Sequence, residues 1–140
     1  MKTVNEFKKA EEELVSKILS DSKVFWAFNN EQFDKGKQKY PLAEGEKYIS
    51  IGAGGYMPAS SKETYLQGMK DLKKWKQNIM KAKKIRREHI AYELANHEAY
   101  YTGSIEDTLS ALGPDYTEFE VYAVYRKEKI KQIKAEYENS

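Results

Sequence analysis

Two histidines and a glutamate, spaced four residues apart, are side chains whose types suit metal or acid–base chemistry. His89, Glu93 and His97 stand at i, i+4 and i+8, so they lie near one face of a helix. Imidazole and carboxylate are ligands that Zn²⁺ accepts. However, helical rise separates the two histidines by about 12 Å, too far for one ion to bridge. The spacing leaves two alternatives: Glu93 and His97 as part of a metal site completed from elsewhere, or polar contacts near a helix end.

A glycine-rich stretch, Gly52 to Gly55, lies between a strand-like segment and the start of a helix. Backbone amides of Gly52, Gly54 and Gly55 at a helix N-terminus are candidates for binding a phosphate. The stretch lacks the Gly-Lys-Ser/Thr ending of a P-loop. A tight turn, or close approach of the backbone beneath Tyr56, explains the glycines without a ligand.

Positive charge is concentrated between residues 70 and 87, which contain nine basic residues and one acidic residue. A solvated outer helix face is the usual meaning of such a run. The alternative is a docking surface for phosphates or for an acidic protein, because like charges repel and a neutralising partner relieves that repulsion. The predicted contact residues are Lys70, Lys73, Lys74, Lys81, Lys84 and Arg87.

Residues 88–125 reverse the sign, with eight carboxylates and no lysine or arginine. Carboxylates interleaved with tyrosines can imitate nucleic-acid phosphates and engage a basic protein cleft. The candidates for that role are Glu106, Asp107, Glu118 and Glu120. The alternative is internal charge balance against the basic helix, which lowers self-repulsion.

Apolar periodicity indicates which elements position these residues. Residues 60–97 are predicted to form one long amphipathic helix, whose start is marked by the capping-box spacing of Ser60 and Glu63. Thr3 and Thr117 open similar boxes before the N-terminal and C-terminal helices. The last helix carries one apolar face, formed by Phe119, Tyr122, Ile130, Ile133 and Tyr137.

The β component is predicted from two short segments rich in β-branched and aromatic residues, 23–28 and 47–51. We therefore predict a single domain over residues 1–140, of α+β class and mainly α. It has a long central amphipathic helix, N- and C-terminal helices, and a small two-stranded β element.

Composition excludes several functions. The chain has no cysteine, which rules out disulfides, thiolate zinc sites and cysteine nucleophiles. No apolar run reaches the roughly 18 residues that span a bilayer, so we expect a cytoplasmic protein without a membrane partner. Two histidines on one helix suggest no Ser-His-Asp arrangement. We expect no cofactor and no enzymatic activity.

Three stretches, residues 25–33, 48–58 and 93–113, resemble small proteins of phages and bacterial mobile elements that have no assigned activity. The resemblance implies a binder of host machinery, such as an inhibitor of a CRISPR effector or another defence nuclease. Our leading hypothesis is a non-enzymatic interaction module that docks on a nucleic acid or nucleoprotein, with a host protein as a further candidate partner. The alternatives are an acidic nucleic-acid mimic and a metal- or phosphate-dependent enzyme.

Overall fold

The computed structural model describes residues 2–139, which form two compact units. The N-terminal unit comprises residues 7–78, and the C-terminal unit comprises residues 79–139 together with residues 2–6. Helices predominate and a small antiparallel sheet supplies the β component, so the predicted class, α+β and mainly α, is confirmed. Within residues 2–139, no helix combines the length and the apolar character that crossing a bilayer requires.

Side-chain caps mark the starts of the first two helices, at the predicted Thr3 and at Asn29. The elements in chain order are α1 (Val4–Asp21), β1 (Phe25–Trp26), α2 (Asn30–Lys39), β2 (Tyr48–Gly52), β3 (Gly55–Pro58) and α3 (Lys62–Ile79). Thr3 Oγ1 accepts a hydrogen bond from the Glu6 amide at 3.1 Å, and Asn29 Oδ1 accepts one from the Gln32 amide at 2.8 Å. These bonds satisfy amides that have no partner inside the helix.

The sheet has three strands rather than the predicted two. All pairing is antiparallel and the strand order is β1-β3-β2. The additional strand, β3, lies where the sequence predicts only a turn between the second strand and the long helix. Its central position pairs Tyr56 with Phe25 of β1 and Met57 with Ile49 of β2.

Aromatic packing forms the interior of the N-terminal unit. Phe7 of α1 is fully buried and stacks on Trp75 of α3, with ring centroids 5.4 Å apart. The Phe25 ring contacts Phe33, Tyr48 and Tyr56. Such offset and edge contacts hold the short sheet to α2.

The predicted single helix over residues 60–97 is two helices, α3 and α4 (Lys83–Asn96). The break at residues 80–82 puts Ala82 in an extended conformation, with φ −75° and ψ 109°. Two physical reasons favour a break between α3 and α4. The five cations between residues 81 and 87 would repel one another along a continuous helix, and the apolar period through Ile79 would carry Lys83 and Arg86 onto the buried face.

The C-terminal unit packs short helices and one long helix against α4. Its remaining elements are α5 (Ala99–Thr102), α6 (Glu106–Leu112) and α7 (Glu118–Glu138). Ile90, Leu94, Ala99 and Val121 are fully buried and form its core. Thr117 Oγ1 accepts from the Glu120 amide at 3.1 Å, which confirms the predicted cap of α7.

Helix α7 buries Val121, whereas the apolar face that periodicity predicts is exposed, including Phe119, Tyr122, Ile130 and Ile133.

Candidate functional site

The six predicted contact cations are all exposed. Lys70, Lys73 and Lys74 lie on α3, Lys81 lies in the turn after it, and Lys84 and Arg87 lie on the first turns of α4. Within the described residues, none of the six forms an ion pair. The neighbouring carboxylate Asp71 instead accepts a hydrogen bond from Gln67 Nε2 at 2.8 Å.

Two other basic side chains between residues 70 and 87 form ion pairs with carboxylates of the chain itself. Lys76 Nζ lies 2.7 Å from Glu11 Oε2 of α1. Arg86 donates to both carboxylate oxygens of Glu120 on α7, and its Nη2 also donates to the Asp115 carbonyl at 2.7 Å. Its guanidinium carbon lies 4.1 Å from the centroid of the Tyr116 ring. The structure therefore separates structural cations from exposed ones.

A groove between α4 and α7 is lined by two of the six predicted contact cations and by two further lysines of α7. Its rim is formed by Lys84, Arg87, Lys127 and Lys131, its acidic members are Glu88 and Glu128, and its floor includes Ala91 and Val124. The groove has a volume of about 300 Å³. Both carboxylates have partners in the chain, since Glu88 Oε2 accepts from the Val4 amide at 3.2 Å and Glu128 Oε1 lies 3.3 Å from Lys131 Nζ. We call this surface the α4–α7 groove.

Sequence reasoning missed Lys127 and Lys131 as members of a site. The sequence assigns them to the basic C-terminal part of the last helix, where cations suit the helix dipole, but in the structure Lys127 lies in the middle of α7 (Glu118–Glu138). The signal that could have found them is their i, i+4 spacing, which places both on one face of α7. Which helix that face would meet is a property of the tertiary fold.

The side chains proposed for a metal form a polar cluster in which His89 and Glu93 are buried and His97 is half-buried. Glu93 is 6% exposed, and its carboxylate lies 3.4 Å from His97 Nε2 and 3.9 Å from His89 Nε2. His89 Nδ1 also lies 2.9 Å from the Tyr116 hydroxyl. Among residues 2–139, no group of three or more histidine, cysteine or acidic side chains is arranged to hold a metal ion. The geometry favours the alternative of polar contacts near the end of α4.

The glycine-rich stretch is a turn between two strands, not a turn that leads into a helix. Gly52 and Gly54 have positive φ angles of 89° and 83°, which glycine adopts without steric cost. Helix α3 starts at Lys62, after a single 3-10 turn at Ala59–Ser61. The expected position of Gly52, Gly54 and Gly55 at a helix N-terminus is therefore wrong, and phosphate binding by these glycines stays a prediction without that support.

The same glycines make room for aromatic rings. A Cβ on Gly54 would lie 2.4 Å from the Phe28 ring, and a Cβ on Gly55 would lie 2.7 Å from the Trp26 ring. The close approach that the sequence suggested does occur, but beneath Phe28 and Trp26 rather than Tyr56.

The candidate mimic residues divide into two groups. Glu106 and Asp107 in the first turn of α6, and Glu118 at the start of α7, are exposed and form no ion pair within the part of the chain that the structure describes. Glu120 is half-buried and paired with Arg86. The hydrogen bond from Arg86 lowers the pKa of Glu120.

Comparison with known proteins places nearly the whole chain in one family. Residues 6–140 match a family of unknown function, DUF7659. No curated protein and no solved structure matches the chain.

Proposed function

We propose that this chain, which belongs to the DUF7659 family, is a non-enzymatic interaction module that docks on the phosphate backbone of a nucleic acid or nucleoprotein. One observation carries the proposal: the six predicted contact cations are exposed and form no ion pair within residues 2–139, whereas Lys76 and Arg86 are paired internally. Charges exposed in this way retain their attraction for an outside anion.

The α4–α7 groove is the best-defined place for such contacts. Four cations from two helices line it, and of its two carboxylates Glu88 accepts from the Val4 amide and Glu128 pairs with Lys131. Lys84, Arg87 and Lys127 are therefore the lining cations that form no ion pair within residues 2–139. A phosphate that enters would gain Coulomb attraction from several directions and release condensed counterions. Lysines act there as point charges, so the contacts position the module and carry no base sequence information.

A charge-reversal pair tests the groove. The double variant Lys84→Glu and Arg87→Glu should lower affinity for a fluorescein-labelled DNA duplex at least tenfold in an anisotropy titration at low salt. The matched control is Lys9→Glu with Lys17→Glu, which makes the same change in net charge at two exposed positions of α1. Equal losses in both variants would indicate a net-charge effect and remove the groove from the proposal.

Exposure of Glu106, Asp107 and Glu118 favours a second candidate, an acidic mimic that occupies a basic protein cleft. Under that function the chain ignores DNA and RNA, and lysine substitutions at these three positions abolish capture of the partner. Glu120 is a poor member of the mimic surface, because Arg86 occupies both of its oxygens.

A defence nuclease bound to its nucleic acid is a narrower form of the first proposal. What supports it is the resemblance of three stretches of the chain to small phage and mobile-element proteins. Inhibition of nuclease cleavage by the wild-type chain, abolished in the Lys84 and Arg87 double variant, is the outcome expected of it.

A further inference from the structure

Two aromatic side chains of the N-terminal unit are exposed beside two lysines. Trp26 is 49% and Phe28 is 74% exposed, although burial of such rings is strongly favourable. Together with Gln32, Lys35 and Lys39 of α2, they line a cleft of about 330 Å³, with Phe25 and Gly36 as further lining residues. We call this the aromatic cleft.

The rings are held in place by backbone rather than by a packed core. The Phe28 and Trp26 rings occupy the positions where side chains on Gly54 and Gly55 would begin. The Phe28 amide donates to Gln32 Oε1 at 2.7 Å, and the Ala27 amide donates to the Gly54 carbonyl at 2.8 Å. These bonds fix the segment between the sheet and α2, so the rings are positioned before any ligand arrives.

We propose that the aromatic cleft binds bases of single-stranded nucleic acid, which stack on Phe28 and Trp26 while Lys35 and Lys39 contact the adjoining phosphates. Flat apolar rings flanked by cations are the usual features of single-strand sites, and stacking tolerates any base. This inference rests on the proposed docking on nucleic acid and adds a second mode of contact, with bases rather than with phosphates alone.

The charges of the cleft fit an anionic, planar ligand. Its lining contains two lysines, one turn apart on α2, and no carboxylate. Lys35 does have a partner, Glu31 Oε1 at 3.6 Å, but both side chains are more than 70% exposed, and such surface pairs are weak. Gln32 uses its carbonyl oxygen for the Phe28 amide, which leaves its amide nitrogen to donate to a base.

Substitutions at Phe28 separate stacking from general apolar contact. The probe is a labelled oligothymidine strand, with anisotropy for affinity and tryptophan quenching as the stacking readout. Phe28→Ala and Phe28→Leu should each weaken binding on the order of tenfold, because neither retains a flat ring. Phe28→Tyr should bind like wild type. Tyr101→Ala is the control, since Tyr101 is 93% exposed in the other unit, and it should have no effect.

Three results would overturn the inference. If Phe28→Leu binds oligothymidine as tightly as wild type, stacking of a base on the Phe28 ring is refuted. If an abasic strand of equal length binds as tightly as oligothymidine, base stacking is refuted while docking on phosphates stands. Absence of binding to either strand and to duplex DNA would refute both the inference and the proposed function.

Discussion

Arg86 and Glu120 form a two-pronged ion pair between α4 and α7, with Nε 2.5 Å from Oε1 and Nη2 2.9 Å from Oε2. The shared hydrogen bonds raise the pKa of Arg86 and lower that of Glu120. Bidentate pairs of this kind are among the stronger polar contacts in proteins. The pair links α4 to α7 in the C-terminal unit and removes Glu120 from the candidate mimic residues.

A double-mutant cycle measures this pair. Arg86→Ala and Glu120→Ala should show a coupling of about 1 to 2 kcal/mol in urea unfolding, a figure reduced for the partial exposure of both groups. Arg86→Ala should cost more than Glu120→Ala, because Arg86 also contacts the Asp115 carbonyl and the Tyr116 ring. Arg126→Ala, at an exposed position of α7, should stay within about 0.5 kcal/mol of wild type. Additive single effects would contradict the pairing.

The same pair predicts a dependence of stability on pH. Since the folded-state pKa of Glu120 lies below its ordinary value of 4.5, its stabilisation is full above that value and is lost as pH falls through the folded pKa. The difference in free energy of unfolding between wild type and Glu120→Gln should therefore be constant near neutral pH and shrink towards pH 3. A difference that grows on acidification would contradict the direction of the shift.

The lysines of α3 supply a separate test of phosphate contact. Reversing Lys70, Lys73 and Lys74 to glutamate should weaken duplex binding at least tenfold. It should also reduce the dependence of log K on log salt by about one for each phosphate that is no longer neutralised. Because all three lysines are exposed, the melting temperature should change little. Wild-type affinity in this triple variant would remove α3 from the contact surface.

Gly36 provides a test of packing in the N-terminal unit. In an exposed helix, glycine to alanine normally stabilises by about 1 kcal/mol. At Gly36 a Cβ would lie 2.0 Å from the Phe25 ring, so Gly36→Ala should instead destabilise by about 1 to 3 kcal/mol in urea unfolding. Gln38→Ala, at an exposed position two residues later in α2, is the control and should be near neutral. A stabilised Gly36→Ala protein would contradict the packing of Phe25.

Local chemistry predicted the helix starts well and the continuity of helices poorly. Thr3 and Thr117 cap as expected, because a cap depends on residues three positions apart. Ser60 does not, since its amide and hydroxyl donate to Glu46, fourteen residues earlier in the chain. The break at residues 80–82 contains no glycine or proline, so no helix-breaking residue marked it, and its local signals are only the run of cations and the apolar period.

The candidate sites also divide into features that local sequence predicts and features that only the tertiary fold determines. Periodicity placed Lys70, Lys73 and Lys74 away from the apolar face of α3, but the sequence left open whether the acidic segment neutralises them. The α4–α7 groove and the aromatic cleft depend on which surfaces meet in three dimensions, and neither can be read from one helix. The apolar face of α7 is a related case, because periodicity found Phe119 and Ile130 but could not tell that Val121 is the residue that turns inward.

The salt dependence of wild-type binding is the decisive test of docking on phosphates. A fluorescein-labelled duplex is titrated by anisotropy between about 50 and 200 mM salt, with log K plotted against log salt concentration. If exposed cations dock on phosphates, the plot is linear with a slope of about −0.9 for each phosphate neutralised, and about four to six contacts give a slope of roughly −4 to −5. A flat plot, or no binding at the lowest salt concentration, would contradict the account.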